Sequence, residues 1–238
     1  MNFDKDLSSN EGFNSHTEIY ESVYQELMSK GMVGFVARHL HSGMERPFNG
    51  EIYFGKVLEI GAGNGEHYPF VRHSFKEYWE SDIRYSKCDQ DLGLQPHSET
   101  KKVFLDAQDL SDLSDNQFDR VIATCVLLHL HDLEGALTQW RRVVLDGGVI
   151  TIYVPSEPGL LLNIAQYLTT QRKFRKKGVD YHSWQYQEHI SHFPRARVLI
   201  NKVFAEDCVV LKKFPLNFLP WHFTLWGIWQ ITVSKPSK

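Results

Sequence analysis

The chain has 238 residues, of which 42% are hydrophobic and 23% charged, as in a soluble globular protein that can bury a substantial core. Its net charge of −3 gives it no reason to bind nucleic acid. The three cysteines are scattered and include no Cys-x-x-Cys pair, which indicates neither a disulfide framework nor a structural zinc site. The N-terminus carries no apolar signal segment, so we expect a cytoplasmic protein.

The N-terminal part of the chain is predicted to be helical. Apolar residues recur at helical spacing from Ile19 to about Leu40, with a break near Gly31, and a turn-rich connection follows over residues 41–55. We therefore expect an N-terminal helical lid region over residues 1–48 and the main domain over residues 49–238.

An apolar run that closes on alternating glycines is the most informative segment. Lys56–Ile60 reads as a buried strand, and Gly61, Gly63 and Gly65 then form a tight turn. Glycine permits positive φ and lets a ligand approach the bare backbone. Glu59 stands at the tip of this strand, where a carboxylate can hold a cationic or hydroxylated part of a cofactor.

The spacing of this turn differs from that of a dinucleotide fingerprint. Such a fingerprint reads Gly-x-Gly-x-x-Gly, whereas Glu66 stands here in place of the third glycine. A carboxylate at the start of the helix predicted over Tyr68–Phe75 repels a pyrophosphate. The turn therefore favours a cofactor without phosphate.

Strands and helices alternate along the rest of the chain, which indicates βαβ units and a doubly wound α/β sheet. The further strands are predicted at Glu77–Ser81, Lys102–Leu105, Asp119–Thr124, Val149–Val154, 207–214 and 227–233, and the helices at Leu133–Val144, 158–171 and 194–203, with a weak helix before the third strand.

Acidic residues follow the second and third strands. Ligands of parallel sheets bind beyond the carboxyl ends of the strands, where Asp82 and Asp106 lie. Asp82 can accept hydrogen bonds from the ribose hydroxyls of an adenosine.

Over about residues 55–155, these motifs resemble the class I S-adenosylmethionine (SAM) methyltransferases, especially the small-molecule, type 11-like group. The resemblance implies a Rossmann-like sheet of seven strands, mostly parallel with an antiparallel last strand, and SAM as cofactor. It implies that Asp82 binds the ribose, that Asp106 accepts from the adenine amino group and that the backbone N–H of Ala107 meets the ring. Thr124 and Cys125 would border the methionine end.

The segment after the fourth strand lacks one acidic residue of the family pattern. Leu128 stands where some family members carry an acid that helps hold a divalent metal, so we expect no metal site. His129 matches the family histidine and is our second candidate for a general base.

Residues 155–205 are expected to be the insertion that binds the methyl acceptor. His189 follows Glu188 in a segment rich in aromatic residues and histidines, and it is our first candidate for the base. His192 raises the alternative of a metal site, but no third ligand matches it.

A basic run at 172–177 places five cations in six residues. It is interpreted as a solvated face, with an anionic acceptor or an anionic membrane surface as alternatives. Residues 214–233 carry no formal charge, yet Pro215 and Pro220 interrupt them, so strands are favoured over a membrane span. Peripheral membrane contact remains an alternative.

The sequence therefore predicts methyl transfer from SAM to a small or medium-sized acceptor, most readily at oxygen, with carbon and nitrogen open. The acceptor could be anionic, a glycan or lipid-linked. The alternatives are a non-catalytic SAM-binding protein and a nicotinamide or nucleotide-sugar oxidoreductase built on the same type of sheet.

Overall fold

The protein is described by a computed structural model over residues 31–85 and 100–236. The strands are β1 (Tyr53–Ile60), β2 (Ser74–Asp82), β3 (Thr100–Phe104), β4 (Phe118–Thr124), β5 (Val144–Pro155), β6 (Cys208–Phe214) and β7 (Trp226–Thr232). The helices are α1 (Gly31–Glu45), α2 (Leu133–Val143), α3 (Leu160–Leu168), α4 (Thr170–Lys176), α5 (Tyr181–Glu188) and α6 (Phe193–Val203). The part of the predicted N-terminal helical region that precedes Gly31, the weak helix before β3 and Cys88 lie outside the described residues.

The strands form one seven-stranded sheet in the order β3-β2-β1-β4-β5-β7-β6. Strands β1 to β5 are parallel, whereas β7 is antiparallel to both β5 and β6. The predicted doubly wound sheet with an antiparallel last strand is confirmed. Because β1 to β5 run in one direction, their carboxyl ends meet at a single edge, where ligands of such sheets bind.

Helices cover both faces because the central strands are apolar on both sides. Leu58 and Val121 face a core formed with Trp140 of α2 and Ile200 of α6. The opposite face packs Val57, Tyr78 and Ile122 against Leu40 and Met44 of α1. Continuous apolar strands are expected where a parallel sheet is buried on both faces.

The prediction of a helix over Tyr68–Phe75 is wrong. Only the single 3-10 turn Tyr68–Phe70 forms there, and β2 begins at Ser74. The backbone N–H of Arg72 donates to Glu45 Oε2 at 3.3 Å, and that of Ser74 donates to Ile52 O at 2.9 Å. These partners hold the chain extended. Glu66 therefore does not lie at the start of an α-helix. The predicted repulsion between its carboxylate and a pyrophosphate bound at a helix N-terminus does not apply to this structure.

Several further boundaries differ from the prediction: β1, β2 and β5 begin at Tyr53, Ser74 and Val144, three to five residues before their predicted starts. Helix α1 continues to Glu45, so the turn-rich connection is shorter than expected. The helix predicted over 158–171 is divided into α3 and α4 at Thr169, whose backbone leaves the helical region at φ −120° and ψ −82°. The extents of the lid region and of the acceptor insertion remain predictions.

A buried ionic network joins α1 to the sheet below the glycine turn. Arg120 of β4 donates two hydrogen bonds to Glu45, at 2.5 and 3.0 Å, and both side chains are fully buried. His67 Nε2 lies 3.0 Å from the same carboxylate, and His67 Nδ1 lies 3.0 Å from His41 Nδ1. Burial raises the pKa of Glu45, but the hydrogen bonds from His67 and Arg120 outweigh it and lower that pKa to about 2.

Candidate active site

The turn after β1 is built as the sequence predicts. Gly61, Gly63 and Gly65 all have positive φ, between +61° and +78°. A Cβ on Gly61 would lie 2.4 Å from Cγ2 of Val126, so a side chain cannot fit there. The hydroxyl of Tyr85 donates to Gly63 O at 2.6 Å and fixes the turn from the side of β2.

The carboxylate of Glu66 folds back over this turn. It accepts hydrogen bonds from the backbone N–H of Asn64 at 3.0 Å and from the Asn64 side-chain amide at 3.2 Å. A Cβ on Gly63 would lie 2.9 Å from Glu66 Oε2. The Glu66 carboxylate therefore uses the backbone N–H of Asn64, which lies in the turn that dinucleotide folds offer to a pyrophosphate. Its negative charge makes phosphate binding at this turn unfavourable.

Asp82 ends β2 beside the glycine turn and is 7% exposed. Its Oδ2 accepts from the backbone N–H of Gly63 at 3.0 Å. Arg84 donates to the same carboxylate from its backbone N–H, Nε and one terminal nitrogen, at 2.9, 3.1 and 3.2 Å. These four bonds match the four lone-pair sites of a carboxylate. A ribose diol at Asp82 would therefore have to displace the Arg84 guanidinium, whose side chain is 55% exposed.

The side chain of Glu59 is buried on a face of the sheet and is not exposed at the edge where the strands end. It is 2% exposed, and its Oε2 accepts a hydrogen bond from the Tyr78 hydroxyl at 2.6 Å. Glu80 stands opposite on β2 and is also buried, with Oε1 lacking a hydrogen-bond partner among the described residues. Burial raises the pKa of Glu59 to about 7.

Asp106 and Ala107 form a turn two residues beyond the end of β3. Asp106 is exposed and accepts from the backbone N–H of Gln108 at 2.8 Å. Ala107 is buried, and its carbonyl accepts from Trp140 Nε1 at 2.8 Å. The turn is therefore anchored to α2.

Thr124 and Cys125 lie where β4 leaves the sheet. Cys125 has a positive φ of +62°, which is unusual for a residue with a side chain. Burial, together with the carboxylate of Glu157, raises the pKa of the Cys125 thiol to about 12. Thr124 Oγ1 lies 3.8 Å from the sulfur of Met44.

The two candidate bases meet at the same edge of the sheet. The rings of His129 and His189 are in edge contact, with centroids 4.8 Å apart. His189 Nδ1 lies 2.5 Å from Oε2 of Glu157, which lies two residues beyond the end of β5 and is 7% exposed. Burial and the neighbouring His189 lower the pKa of His129 to about 4, so that ring is neutral and weakly basic at neutral pH.

Glu157 is the important residue that the sequence analysis did not select. Gln166 of α3 donates to its Oε1 at 3.2 Å and also lies 3.1 Å from the hydroxyl of Tyr181. The available signal was its position near a strand end, the criterion that selected Asp82.

His192 lies away from the two candidate bases. Its ring accepts a hydrogen bond from the backbone N–H of Arg195 and caps α6. Among residues 31–85 and 100–236, no group of three or more His, Cys, Asp or Glu side chains could hold a metal ion.

Comparison with known proteins identifies the fold and the domain. Residues 58–152 match the family profile described as a methyltransferase domain. No curated protein matches the chain in sequence. A provisionally assigned sarcosine dimethylglycine methyltransferase from Galdieria sulphuraria is 13% identical, with a TM-score of 0.59, over 92% of this chain and 98% of that one.

Two more solved structures share this fold. A provisionally assigned SAM-dependent methyltransferase from Methanococcus maripaludis is 16% identical, with a TM-score of 0.57, over 100% of this chain and 98% of that one. A SAM-dependent methyltransferase from Thermotoga maritima, for which histamine N-methylation has been suggested, is 16% identical, with a TM-score of 0.57, over 92% of this chain and 99% of that one.

Proposed function

We propose that this chain methylates a hydroxyl oxygen of a small or medium-sized acceptor with SAM as the methyl donor; the match of residues 58–152 to the profile of a methyltransferase domain supports the transfer. The single observation that carries the choice of oxygen is the hydrogen bond between His189 and Glu157. A hydroxyl acceptor needs a base to take its proton, and an imidazole oriented by a carboxylate is suited to that task.

The residues around the glycine turn fit SAM. The turn admits no Cβ at Gly61, and a negative charge rather than an anion site lies above it. Asp82 would hold the ribose, and Asp106 and Ala107 would hold the adenine. Thr124 and Cys125 would border the methionine end, with Glu59 below the turn. SAM supplies a methyl group already activated by a positively charged sulfur.

His189 would act as the general base. With Nδ1–H donating to the Glu157 carboxylate, Nε2 would be the ring atom that accepts the proton. The acceptor proton would pass to Nε2 as the methyl group moves from sulfur to oxygen, which would leave a neutral thioether, and the Glu157 carboxylate would stabilise the resulting imidazolium. Proton transfer of this kind contributes roughly 10²–10⁴-fold to a rate. His129 would form a neutral wall beside the base.

The acceptor would enter between the base and helices α3 and α5. On that side the Gln166 amide donates to Glu157 and also lies within hydrogen-bond distance of the Tyr181 hydroxyl. Hydrogen-bonding walls of this kind favour an acceptor with several hydroxyls, such as a glycan or a lipid-linked sugar. Among the described residues no helix is long and apolar enough to span a membrane. A cytoplasmic location remains our expectation.

Methyl-labelled SAM offered with panels of glycosides, sugar nucleotides, phenols and amines tests the proposal. We expect a labelled methyl ether, identified by tandem mass spectrometry, and binding of SAM but not of NADH in calorimetry. Exclusive labelling of amines or carbon acceptors would overturn the assignment to oxygen. Tight SAM binding with no labelled product from any panel would favour a non-catalytic SAM-binding protein.

A further inference from the structure

Helix α3 leaves one of its apolar faces exposed. Leu160, Ile164 and Leu168 recur every four residues, share one helix face and are 53%, 48% and 52% exposed. Tyr167, on the same side, is 51% exposed. The polar Gln166 instead points inward to Glu157. A surface helix normally buries its apolar side, so this arrangement leaves a hydrophobic stripe in contact with water.

The loop over residues 215–223 extends the apolar surface. Leu216, Phe218 and Phe223 are 49%, 80% and 49% exposed, and the loop contains no Asp, Glu, Lys or Arg. It adjoins the start of α3, since a Cβ on Gly159 would lie 3.4 Å from the carbonyl oxygens of both Trp221 and His222. Large apolar residues from two separate chain segments therefore lie side by side.

Cations flank this apolar surface on one side. Arg172, Arg175, Lys176 and Lys177 of α4 and its C-terminal end are exposed. The sequence from residue 158 to residue 179 contains no Asp or Glu, so no carboxylate of that segment offsets the charge of these four cations. The whole protein carries a net charge of −3, which makes this local excess of positive charge a distinct feature.

We propose that α3, α4 and the loop over residues 215–223 form a docking face for an anionic lipid bilayer. The argument for lipid is charge complementarity: apolar side chains beside a row of cations match the acyl boundary and the anionic headgroups of such a surface. A second copy of the chain would bring two cationic rows together, which disfavours self-association through this face. This proposal does not depend on whether the methyl acceptor is an oxygen, a nitrogen or a carbon atom.

Vesicle co-sedimentation tests the docking face. We expect the wild-type protein to sediment with vesicles of phosphatidylcholine mixed with phosphatidylglycerol, and not with phosphatidylcholine alone. The double variant Arg172→Glu/Lys176→Glu should bind at least about ten-fold more weakly, because each cation contributes roughly five-fold. The double variant Ile164→Ser/Phe218→Ser should also lose binding.

Matched controls use residues of similar exposure on other elements. Val198→Ser/Val210→Ser replaces exposed valines of α6 and β6, and Arg46→Glu/Arg197→Glu reverses two exposed arginines elsewhere. Both should bind vesicles like the wild type, and all four variants should keep the wild-type melting temperature and SAM affinity.

Three results would overturn the proposal. The first is an absence of wild-type binding to the anionic vesicles. The second is an equal loss of binding in the control variants. The third is sedimentation velocity that shows a dimer disrupted by Ile164→Ser/Phe218→Ser, since a second copy would then cover the face.

Discussion

His189 Nδ1 lies 2.5 Å from Glu157 Oε2, although the two residues are 32 positions apart in the chain. Helix α5 ends just before His189, and β5 ends two residues before Glu157, so the contact joins the acceptor segment to the end of the sheet. The carboxylate fixes which imidazole nitrogen can take a proton. The pair can be tested separately from cofactor binding.

Replacing His189 with alanine should lower kcat by roughly 10²–10⁴-fold and leave the Kd for SAM unchanged, because the proposed base would act on the acceptor proton and not on the cofactor. Added imidazole should restore part of the rate. His182→Ala, on the exposed side of α5, is the matched control and should keep full activity. Full activity of His189→Ala would remove this residue as the base.

Glu157 is expected to be a positioning residue. Glu157→Gln should lower kcat, by less than His189→Ala does, while KM for SAM stays constant, and Glu157→Asp should recover part of the loss. A merely structural role would instead lower the melting temperature in parallel with activity. Steady-state kinetics and calorimetric unfolding of the same samples distinguish the two.

The contacts of Asp82 predict opposite effects for two neighbouring residues. Asp82→Ala should weaken SAM binding by roughly ten-fold or more, about 1.4 kcal/mol, because it removes the ribose acceptor. Arg84→Ala should preserve or strengthen binding, because Arg84 competes for the same oxygens. Isothermal titration with SAM measures both. Unchanged affinity of Asp82→Ala would refute the ribose assignment, and a loss in Arg84→Ala would mean that Arg84 itself binds the cofactor.

The glycine turn offers a matched pair of substitutions. Gly61→Ala places a Cβ 2.4 Å from Val126 Cγ2 at a φ of +67°, whereas Gly147→Ala meets nothing within 4 Å at a φ of +75°. Both carry the left-handed penalty of roughly 1–2 kcal/mol, but only Gly61→Ala adds a clash. Thermal unfolding should show the larger loss for Gly61→Ala, with loss of SAM binding. Val126→Ala should restore part of the stability; without such recovery, the clash is not the cause.

The sequence predicts local elements well because their signals are local. The predicted limits of β4, Asp119–Thr124, and of α2, Leu133–Val144, lie within one residue of the observed ones. The segment after the glycine turn is different: Arg72 and Ser74 take their hydrogen-bond partners from Glu45 and Ile52, more than 20 positions away. No local pattern shows that competition.

The same distinction between local signals and long-range contacts holds for the candidate site. Glycine spacing selected Gly61, a strand end selected Asp82, and a cluster of histidines and aromatic residues selected His189, since those features can be read from neighbouring residues. The Arg84 contacts to Asp82 and the Glu157 contact to His189 depend on side-chain directions fixed by the tertiary structure. The pairing of Glu45 with Arg120 spans 75 positions and has no sequence signature at all.

Breaking that buried pair should be costly. Arg120→Met leaves the Glu45 carboxylate buried without its main partner, so the free energy of unfolding should fall by about 3–5 kcal/mol. Lys202→Met is the control, because Lys202 and Glu134 form an ion pair with side chains 62% and 46% exposed, and such pairs contribute only about 0–1 kcal/mol. Urea unfolding of both variants decides; equal losses would contradict the assignment of a buried, strongly coupled pair.

The raised pKa of Glu59 predicts a pH-dependent affinity for SAM. With a pKa of about 7, much of this carboxyl is protonated at mildly acidic pH. A cationic sulfonium nearby favours the ionised form, so SAM binding should release a proton and the affinity should rise from pH 5 to about pH 7 and then level off. Titration calorimetry in buffers of different ionisation enthalpy measures the released proton. S-adenosylhomocysteine, whose sulfur is neutral, is the matched ligand and should show a smaller rise, while Glu59→Gln should abolish the difference between the two ligands. The same pH dependence for both ligands in the wild type would mean that the carboxylate does not sense the cation and that its role is confined to the bond with Tyr78.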